Sequence, residues 1–269
     1  MKIIKISTLL LAGLGITACV TNPVTGRSSI QFANNAEIAT AASGEYRKAL
    51  SSGKVVTGTA DANRVKNVGG KIKNAAYAYY KSIGRESDLA NYSWEFNLIE
   101  DKQLNAWCMP GGKVAFYTGI LPVCKDENGI AVVMGHEVSH ALAGHGNERI
   151  SQAMLAQYGG AALSGTSKSS KLGNIVNQLY PYASQGVLLK YGRSQELEAD
   201  KMGLYLMAMA GYDPRTSTSF WQRMQQASGG GGKTPEFLST HPNPENRIAD
   251  LNADMPKALE YYKAAGGKL

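Results

Sequence analysis

Residues 136 to 140 place two imidazoles and a carboxylate where they could act together on one metal ion. The segment is H-E-V-S-H, and no helix breaker lies within it. His136 and His140 are four residues apart, so a helix would present both rings on one face, one turn apart. Both can bind a single Zn²⁺, while Glu137 lies beside that face and can reach a water on the metal without binding the metal. The alternative is a pair of hydrogen-bonded histidines in a helical core.

A hydrolytic zinc site also needs a third protein ligand and an open fourth position. His145 is the nearest candidate, but on a continuous helix it would face the side opposite His136. We therefore predict a structural or surface role for His145. Glu196 and Asp200, four residues apart in "SQELEADKMG", are better placed. Glu196 is predicted as the third ligand, and Asp200 as the acceptor that fixes the tautomer of a zinc-binding histidine.

The segment "THPNPENR" follows a glycine-rich stretch and contains His241. Three roles are open for His241: a donor to the oxyanion of the transition state, a zinc ligand that blocks the site at rest, or an ordinary loop histidine. Arg247 could anchor this loop to Asp200. Glu198 is predicted to face solvent, because it lies about 200° around its helix from Glu196.

The elements around these residues predict an α+β fold. Helical spacing covers 36–83, and alternation over 92–99 indicates a strand. The turn residues 110–112 then separate the two arms of a hairpin, 103–109 and 113–118. The remainder is mostly helical, so the expectation is a small antiparallel sheet next to a buried helix.

The first 18 residues are predicted to be a secretory signal, with a short apolar run after two lysines. "ITAC" resembles a bacterial lipobox, which implies cleavage before Cys19 and lipid attachment to it. An ordinary signal peptide with a chance cysteine is the alternative. Val20, where an inner-membrane lipoprotein would have aspartate, favours the outer membrane by resemblance to bacterial sorting rules. The predicted domains are a lipoprotein signal peptide (1–18), a lipidated tether (19–35) and the folded domain (36–269).

Chain length, net charge and cysteine content limit the possible domain organisation and binding partners. The chain has 269 residues, a length that suits one domain with a substantial core. Its formal charge of +7 is spread without a basic run, so no nucleic-acid partner is expected. In an oxidising compartment, Cys108 and Cys124 could form a disulfide or stay as two buried thiols.

The motifs together resemble those of a known family. H-E-x-x-H followed by E-x-E-A-D is similar to the HtpX-like/CAAX prenyl protease family of zinc metallopeptidases, of the gluzincin type. "NPVTGR" at 22–27, "NAWCMPGGKVAFYTGIL" at 105–121 and "STHPNPENRI" at 239–248 resemble the soluble, periplasmic lipoprotein branch of that family. The resemblance covers most of the chain after the signal.

The resemblance implies a zincin-like fold and one Zn²⁺ per chain. It implies His136, His140 and Glu196 as zinc ligands, Glu137 as the general base, and Asp200 behind a ligand. It also implies a lipid-anchored protease of the cell envelope, facing the periplasm from the outer membrane. Misfolded or outer-membrane proteins would be its substrates.

The hairpin has a use in this interpretation. Residues 104–108 resemble the sheet edge to which gluzincin substrates add as an extended strand. Asn105, Ala106 and Trp107 are therefore predicted to bind substrate, with an ordinary buried strand as the alternative.

Two other functions compete with proteolysis of envelope proteins. One is a membrane-anchored chaperone or assembly factor on a metallopeptidase fold. The other is a zinc hydrolase of cell-wall peptides, although many such enzymes space their ligands as H-x-H. No oligomeric state is predicted.

Overall fold

The computed structural model describes residues 19–159, 168–180, 191–228, 236–241 and 246–268. The predicted signal peptide lies outside these ranges. So do Asn243 and Pro244, whose residue types predict the cap and first turn of a helix. The strands within them are β1 (Cys19–Thr21), β2 (Ser28–Ile30), β3 (Val55–Val56), β4 (Glu95–Ile99), β5 (Ala106–Met109) and β6 (Lys113–Tyr117). The helices are α1 (Asn35–Ser52), α2 (Ala60–Ser82), α3 (Leu121–Cys124), α4 (Glu127–Leu142), α5 (His145–Tyr158), α6 (Lys168–Leu179), α7 (Arg193–Met209), α8 (Thr216–Ser228), α9 (Glu236–Thr240) and α10 (Arg247–Ala264).

The main sheet has four strands in the order β3-β4-β6-β5. The predicted hairpin of β5 and β6 is confirmed, with Trp107 opposite Ala115. The sheet is mixed rather than wholly antiparallel, because β6 returns to the middle and runs parallel to β4. This arrangement leaves β5 at the edge, where it pairs only with β6 among the described strands.

Two glycines make the turn of this hairpin. Gly111 and Gly112 have φ angles of 82° and 83°, a region that glycine adopts without steric cost. A Cβ at Gly112 would lie 2.6 Å from the ring of Trp94. The turn therefore requires glycine for its backbone and for its packing, as the sequence predicts.

The sheet separates two apolar clusters, and its strands contribute alternate residues to each. Ala106 and Phe116 pack with α2, α4, α7 and α10 on one face. Trp107 and Tyr117 pack with α1, α5 and α6 on the other. The prediction of a mostly helical α+β fold with a small sheet beside the metal-binding helix is confirmed.

The continuous helix assumed in the sequence analysis to run from His136 to His145 is two helices. Helix α4 begins after Asp126, whose side chain accepts a hydrogen bond from the backbone N–H of Gly129 at 3.0 Å. It ends at Leu142, and Gly144 then adopts a left-handed conformation with φ of 69°. This break turns the chain, so residues of α5 no longer follow the helical phase of α4.

The segment predicted as a tether lies against the folded domain. Strands β1 and β2 form an antiparallel pair, and the Asn22 side chain contacts the Met202 sulfur of α7 at 3.1 Å. Cys19, the predicted lipidation site, is exposed. Across the described ranges, we find no helix with the length and apolarity needed to cross a bilayer.

Candidate active site

Helices α4 and α7 carry most of the predicted site and approach each other closely. A Cβ at Gly135 would lie 2.7 Å from the carbonyl oxygen of Gly203, and a Cβ at Gly203 would lie 2.7 Å from the backbone nitrogen of His136. Two glycines thus allow backbone contact at the level of the histidine. Glu196 precedes Gly203 by about two turns of α7 and Asp200 precedes it by about one, so both face α4.

Four buried side chains converge between these helices and α9. One ligand atom from each lies within 4.8 Å of all the others, and each residue is at most 2% exposed. The four are His136, His140, Glu196 and His241. The structure therefore brings together the three predicted ligands and adds His241.

The separations of these atoms fit a tetrahedral ion. The Nε2 atoms of His136 and His140 are 3.1 Å apart, and Nδ1 of His241 lies 3.3 Å from Nε2 of His136. The Glu196 carboxylate oxygens lie 3.0 to 3.6 Å from nitrogens of the three histidines. Ligand atoms bound at about 2.0 Å to a tetrahedral zinc lie about 3.3 Å apart.

The protonation of the histidines supports the same conclusion. Nδ1 of His136 lies 2.9 Å from Asp200 Oδ1 and donates to it, so its Nε2 presents a lone pair. Nε2 of His140 points into the same space, and burial holds the pKa of His140 well below its usual range. Lone pairs of neutral imidazoles at 3.1 Å repel each other unless a cation lies between them. The donor set, with imidazole nitrogens and one carboxylate, suits Zn²⁺.

Asp200 and Arg247 support the ligands from behind. Arg247, at the start of α10, donates from Nε to Asp200 at 2.6 Å and from Nη2 to Glu196 at 2.8 Å. Its guanidinium stacks over the ring of Trp221 at 3.8 Å. The structure thus places Asp200 next to His136 and Arg247 next to Asp200, while the role of Asp200 behind a zinc ligand stays a prediction.

Glu137 lies beside the ligand cluster without joining it. It is 1% exposed, and its Oε1 accepts no hydrogen bond from the described residues. Burial raises the pKa of Glu137, opposed by the nearby rings of His241 and His136 and by a hydrogen bond from the backbone of Cys108. A carboxylate with a free oxygen facing the cluster has the position that a general base requires.

His241 is the fourth member of the cluster that could hold a metal ion. It follows α9, donates its backbone N–H to Phe237 at 2.8 Å, and stacks its ring on that of Phe237. Its Nε2 lies 3.4 Å from Glu137 Oε1. With 2% exposure it is no ordinary loop histidine, and this geometry favours the resting-state ligand among the three predicted roles.

Strand β5 lies above Glu137 as an edge strand. The Asn105 carbonyl accepts from Tyr117 N–H at 3.1 Å, so the backbone groups of Ala106 and Cys108 point to the open edge. Asn105, Ala106 and Trp107 are all buried. The structure thus places the predicted substrate strand next to the site. On its outer edge, the backbone N–H of Ala106 donates to the Asn105 side chain at 2.9 Å and that of Cys108 donates to Glu137.

The predicted structural or surface role of His145 is confirmed in its structural form, whereas the prediction for Glu198 is wrong. His145 is fully buried, and its Nδ1 lies 2.7 Å from Nδ1 of His140. Glu198 is 4% exposed and lies 2.9 Å from His145 Nε2, so it does not face solvent. The sequence argument assumed one continuous helix through His145, whereas Gly144 breaks it. Gly144 directly before a histidine was the signal that could have revealed this, since glycine commonly ends helices.

Comparison with known proteins agrees with this geometry. The model of a family described as "Peptidase family M48" matches residues 70–254. The mitochondrial metalloendopeptidase OMA1 of Schizosaccharomyces pombe is 36% identical over 178 residues, which is 66% of this chain and 51% of that protein. The Saccharomyces cerevisiae OMA1 is 34% identical over 207 residues, 74% of this chain and 57% of that protein. The beta-barrel assembly-enhancing protease of Yersinia pestis is 28% identical over 168 residues, 58% of this chain and 33% of that protein.

These matches support the coarser predictions. The predicted enzyme class, a zinc metalloendopeptidase, is supported by the family and by the two mitochondrial metalloendopeptidases. The predicted zinc cofactor is confirmed by the family and by the ligand cluster. The matched region spans about half the length of the two mitochondrial relatives. The finer HtpX-like/CAAX assignment stays a prediction.

Proposed function

Since this chain belongs to peptidase family M48, we propose that it hydrolyses peptide bonds within proteins of the cell envelope, misfolded or outer-membrane proteins above all. The observation that supports this most is the convergence of His136, His140 and Glu196 beside the free carboxylate oxygen of Glu137. Those four side chains are what metal-assisted hydrolysis needs.

The proposed roles follow from position. His136, His140 and Glu196 hold the zinc, which when bound polarises the scissile carbonyl and lowers the pKa of water toward neutrality. Glu137 accepts a proton from the attacking water and delivers it to the leaving amine. Asp200 keeps His136 in the tautomer that presents Nε2, since it accepts from Nδ1 at 2.9 Å.

His241 gives the enzyme a closed resting state in this proposal. Its Nδ1 stands 3.0 Å from Glu196 Oε1, in the fourth position around the metal. Water and substrate enter only when α9 moves this ring away. Near an open site, the same ring could donate to the oxyanion, so the two predicted roles need not exclude each other.

Main-chain pairing sets the proposed substrate class. The outer edge of β5 would bind an extended peptide through the backbone carbonyls of Ala106 and Cys108, and such main-chain contacts select unfolded segments rather than a particular sequence. Lipid on Cys19 would anchor the enzyme to the outer membrane, facing the periplasm. The relative in Yersinia pestis named for β-barrel assembly supports such a location.

The first test is proteolysis of unfolded casein by the purified chain. We expect cleavage that a zinc chelator abolishes and that added Zn²⁺ restores. Casein and denatured outer-membrane proteins left intact by a zinc-loaded chain would contradict the proposal. If that chain still prevented aggregation of outer-membrane proteins, the chaperone alternative would hold. Release of fragments from purified peptidoglycan would support the cell-wall alternative instead.

A further inference from the structure

A chain of hydrogen bonds leads away from the zinc ligand His140 toward the N-terminal segment. Nδ1 of His140 lies 2.7 Å from Nδ1 of His145. Nε2 of His145 lies 2.9 Å from Oε2 of Glu198. All three residues are buried, so these contacts are shielded from competition by water.

The direction of the protons in this chain is determined. If Nε2 of His140 faces the metal, Nδ1 must carry the proton and donate it to Nδ1 of His145. The remaining nitrogen of a neutral His145 then carries a proton and donates it to the Glu198 carboxylate. His145 therefore connects His140 to the charged Glu198 carboxylate, which does not contact His140 directly.

Arg27 fixes that carboxylate. Its Nε donates to Glu198 Oε2, and Thr25 donates its hydroxyl to Oε1. The other two guanidinium nitrogens of Arg27 form a fork with Glu148 of α5, at 3.1 and 2.8 Å. Planar, two-point contacts of this kind fix an arginine more strongly than a single contact. Arg27 thus ties α5 and α7 together behind His140.

The "NPVTGR" segment holds Arg27 in place. Asn22 N–H donates to the Arg27 carbonyl at 2.9 Å, and Gly26 N–H donates to the Asn22 carbonyl at 2.9 Å. Gly26 has φ of 75°, which favours glycine. The Asn22 side chain rests on Met202 of α7. This closed loop leaves Arg27 few alternative orientations.

The two ligand histidines are therefore supported in different ways. His136 donates directly to Asp200, which Arg247 of the C-terminal helix holds. The Nδ1 side of His140 is connected to Arg27 through two intervening side chains, His145 and Glu198, and Arg27 precedes α1 in the chain. Nothing in the proposed reaction uses Arg27, His145 or Glu198.

We propose that Arg27, on the segment next to Cys19, positions the zinc ligand His140 through Glu198 and His145. The segment between the predicted lipid site and α1 is then part of the metal centre. Arg27, Glu198 and His145 are positioning residues rather than catalytic ones. This inference rests on the proposed function, because it takes His140 as a zinc ligand.

Zinc affinity of the purified full chain tests the proposal directly. Competition with a fluorescent chelator should show about 10- to 100-fold weaker zinc binding for Arg27→Gln, Glu198→Gln and His145→Phe. Arg215→Gln is the matched control, because Arg215 also forms a two-point pair with a carboxylate, that of Asp213 at the surface. Its zinc affinity should equal that of the wild type.

A double-variant cycle separates positioning from a general loss of stability. If Arg27 acts through His145, then Arg27→Gln combined with His145→Phe should lose no more affinity than the worse single variant. The visible spectrum of the Co²⁺-substituted protein should shift in each variant, since it reports on the ligands. If His145→Phe does not fold, Glu198→Gln replaces it in the cycle.

Two results would overturn the proposal. One is zinc affinity and a Co²⁺ spectrum like the wild type in both Arg27→Gln and Glu198→Gln. The other is a double variant whose fold-loss of zinc affinity equals the product of the two single losses. Arg27 and His145 would then act separately. Failure of the wild type to bind one zinc would instead refute the proposed function, so the two failures are distinguishable.

Discussion

Side chains of the same type at the site differ in the groups that each of them contacts. His136 and His140 are the same residue type on one helix, yet one donates to a carboxylate and the other faces a histidine. Glu196 and Glu137 are both buried carboxylates. Burial raises the pKa of Glu196 too, but His241 and His140 outweigh burial and hold it well below its usual range. The net pKa of Glu137 is raised. This difference in pKa agrees with the proposed roles of Glu196 as a zinc ligand and Glu137 as the general base.

Glu137→Gln should keep zinc and lose hydrolysis. Glutamine has the same shape but cannot accept the proton of water, so we expect casein cleavage to fall about 10²- to 10⁴-fold. Metal analysis should still give one zinc per chain, because Glu137 lies outside the ligand cluster. Glu127→Gln, at the start of the same helix, is the control. Turnover like that of the wild type in Glu137→Gln would refute the general-base role.

His241→Ala should raise the hydrolysis of casein. Removing the ring opens the fourth position around the metal, while three ligands remain. We expect zinc to be retained, and the rate should be compared at equal zinc content. A loss of activity as large as that of Glu137→Gln would show instead that the donor role of His241 outweighs its blocking role.

At the scale of elements, the site depends on how closely α4 and α7 approach. The contact between Gly135 and Gly203 brings the carboxylates of α7 to the histidines of α4. Helix α9 is fixed to the strand side, since Phe237 N–H donates to the Leu104 carbonyl at 3.1 Å. His241 therefore reaches the metal position because α9 is attached just before β5.

Gly203→Ala should lower both stability and zinc affinity. The new methyl group would lie 2.7 Å from the backbone of His136, which cannot move aside, so α7 must shift. We expect a loss of about 1 to 3 kcal/mol in the free energy of unfolding, measured with urea.

Gly70→Ala is the matched control, because Gly70 lies in α2 with nothing within 4 Å of an added Cβ. This second change should stabilise the protein by about 0.5 to 1 kcal/mol, as alanine favours a helix. Equal effects of the two substitutions would contradict the close approach of α4 and α7.

If substrates pair with β5 as an added strand, alternate backbone amides of a peptide inhibitor should contribute to its binding. Methylating the amide that pairs with the open edge removes one hydrogen bond, so binding should weaken about tenfold. Methylating the next amide, which points away, should leave the inhibition constant unchanged. Losses that do not alternate along the peptide would argue against strand addition at β5.

At the scale of the whole molecule, residues from both ends of the chain build one centre. Arg27 contacts Glu198 across 171 positions of sequence, and Asp200 contacts Arg247 across 47. The segment predicted as a tether therefore contributes to the fold. Cys108 and Cys124 are free thiols that both lie in the apolar cluster containing Ala106 and Phe116.

Cys108 and Cys124 should resist alkylation in the native protein. Burial raises the pKa of Cys108 well above its usual range and that of Cys124 to about 12, so neither forms the reactive thiolate. Mass spectrometry after iodoacetamide treatment should show both modified only once the chain is unfolded. A mass decrease that reduction reverses would instead indicate a disulfide between them.

The sequence alone determines the features that are local along the chain. The spacing of His136, His140 and Glu137 fixes their relative positions, because helix geometry depends only on neighbouring residues. The same holds for Glu196 and Asp200 on α7. The turn at Gly111 and Gly112 likewise requires only the backbone freedom of glycine.

Tertiary structure decides the features that join distant segments. His241 lies 105 positions from His136 along the chain. The packing of α9 near β5 brings its ring close to the other three candidate ligands. The role of His145 depends on the break at Gly144, and the role of Glu198 depends on the folding back of the N-terminal loop. These long-range contacts depend on the packing of the whole core, so the residue spacing within one segment does not predict them.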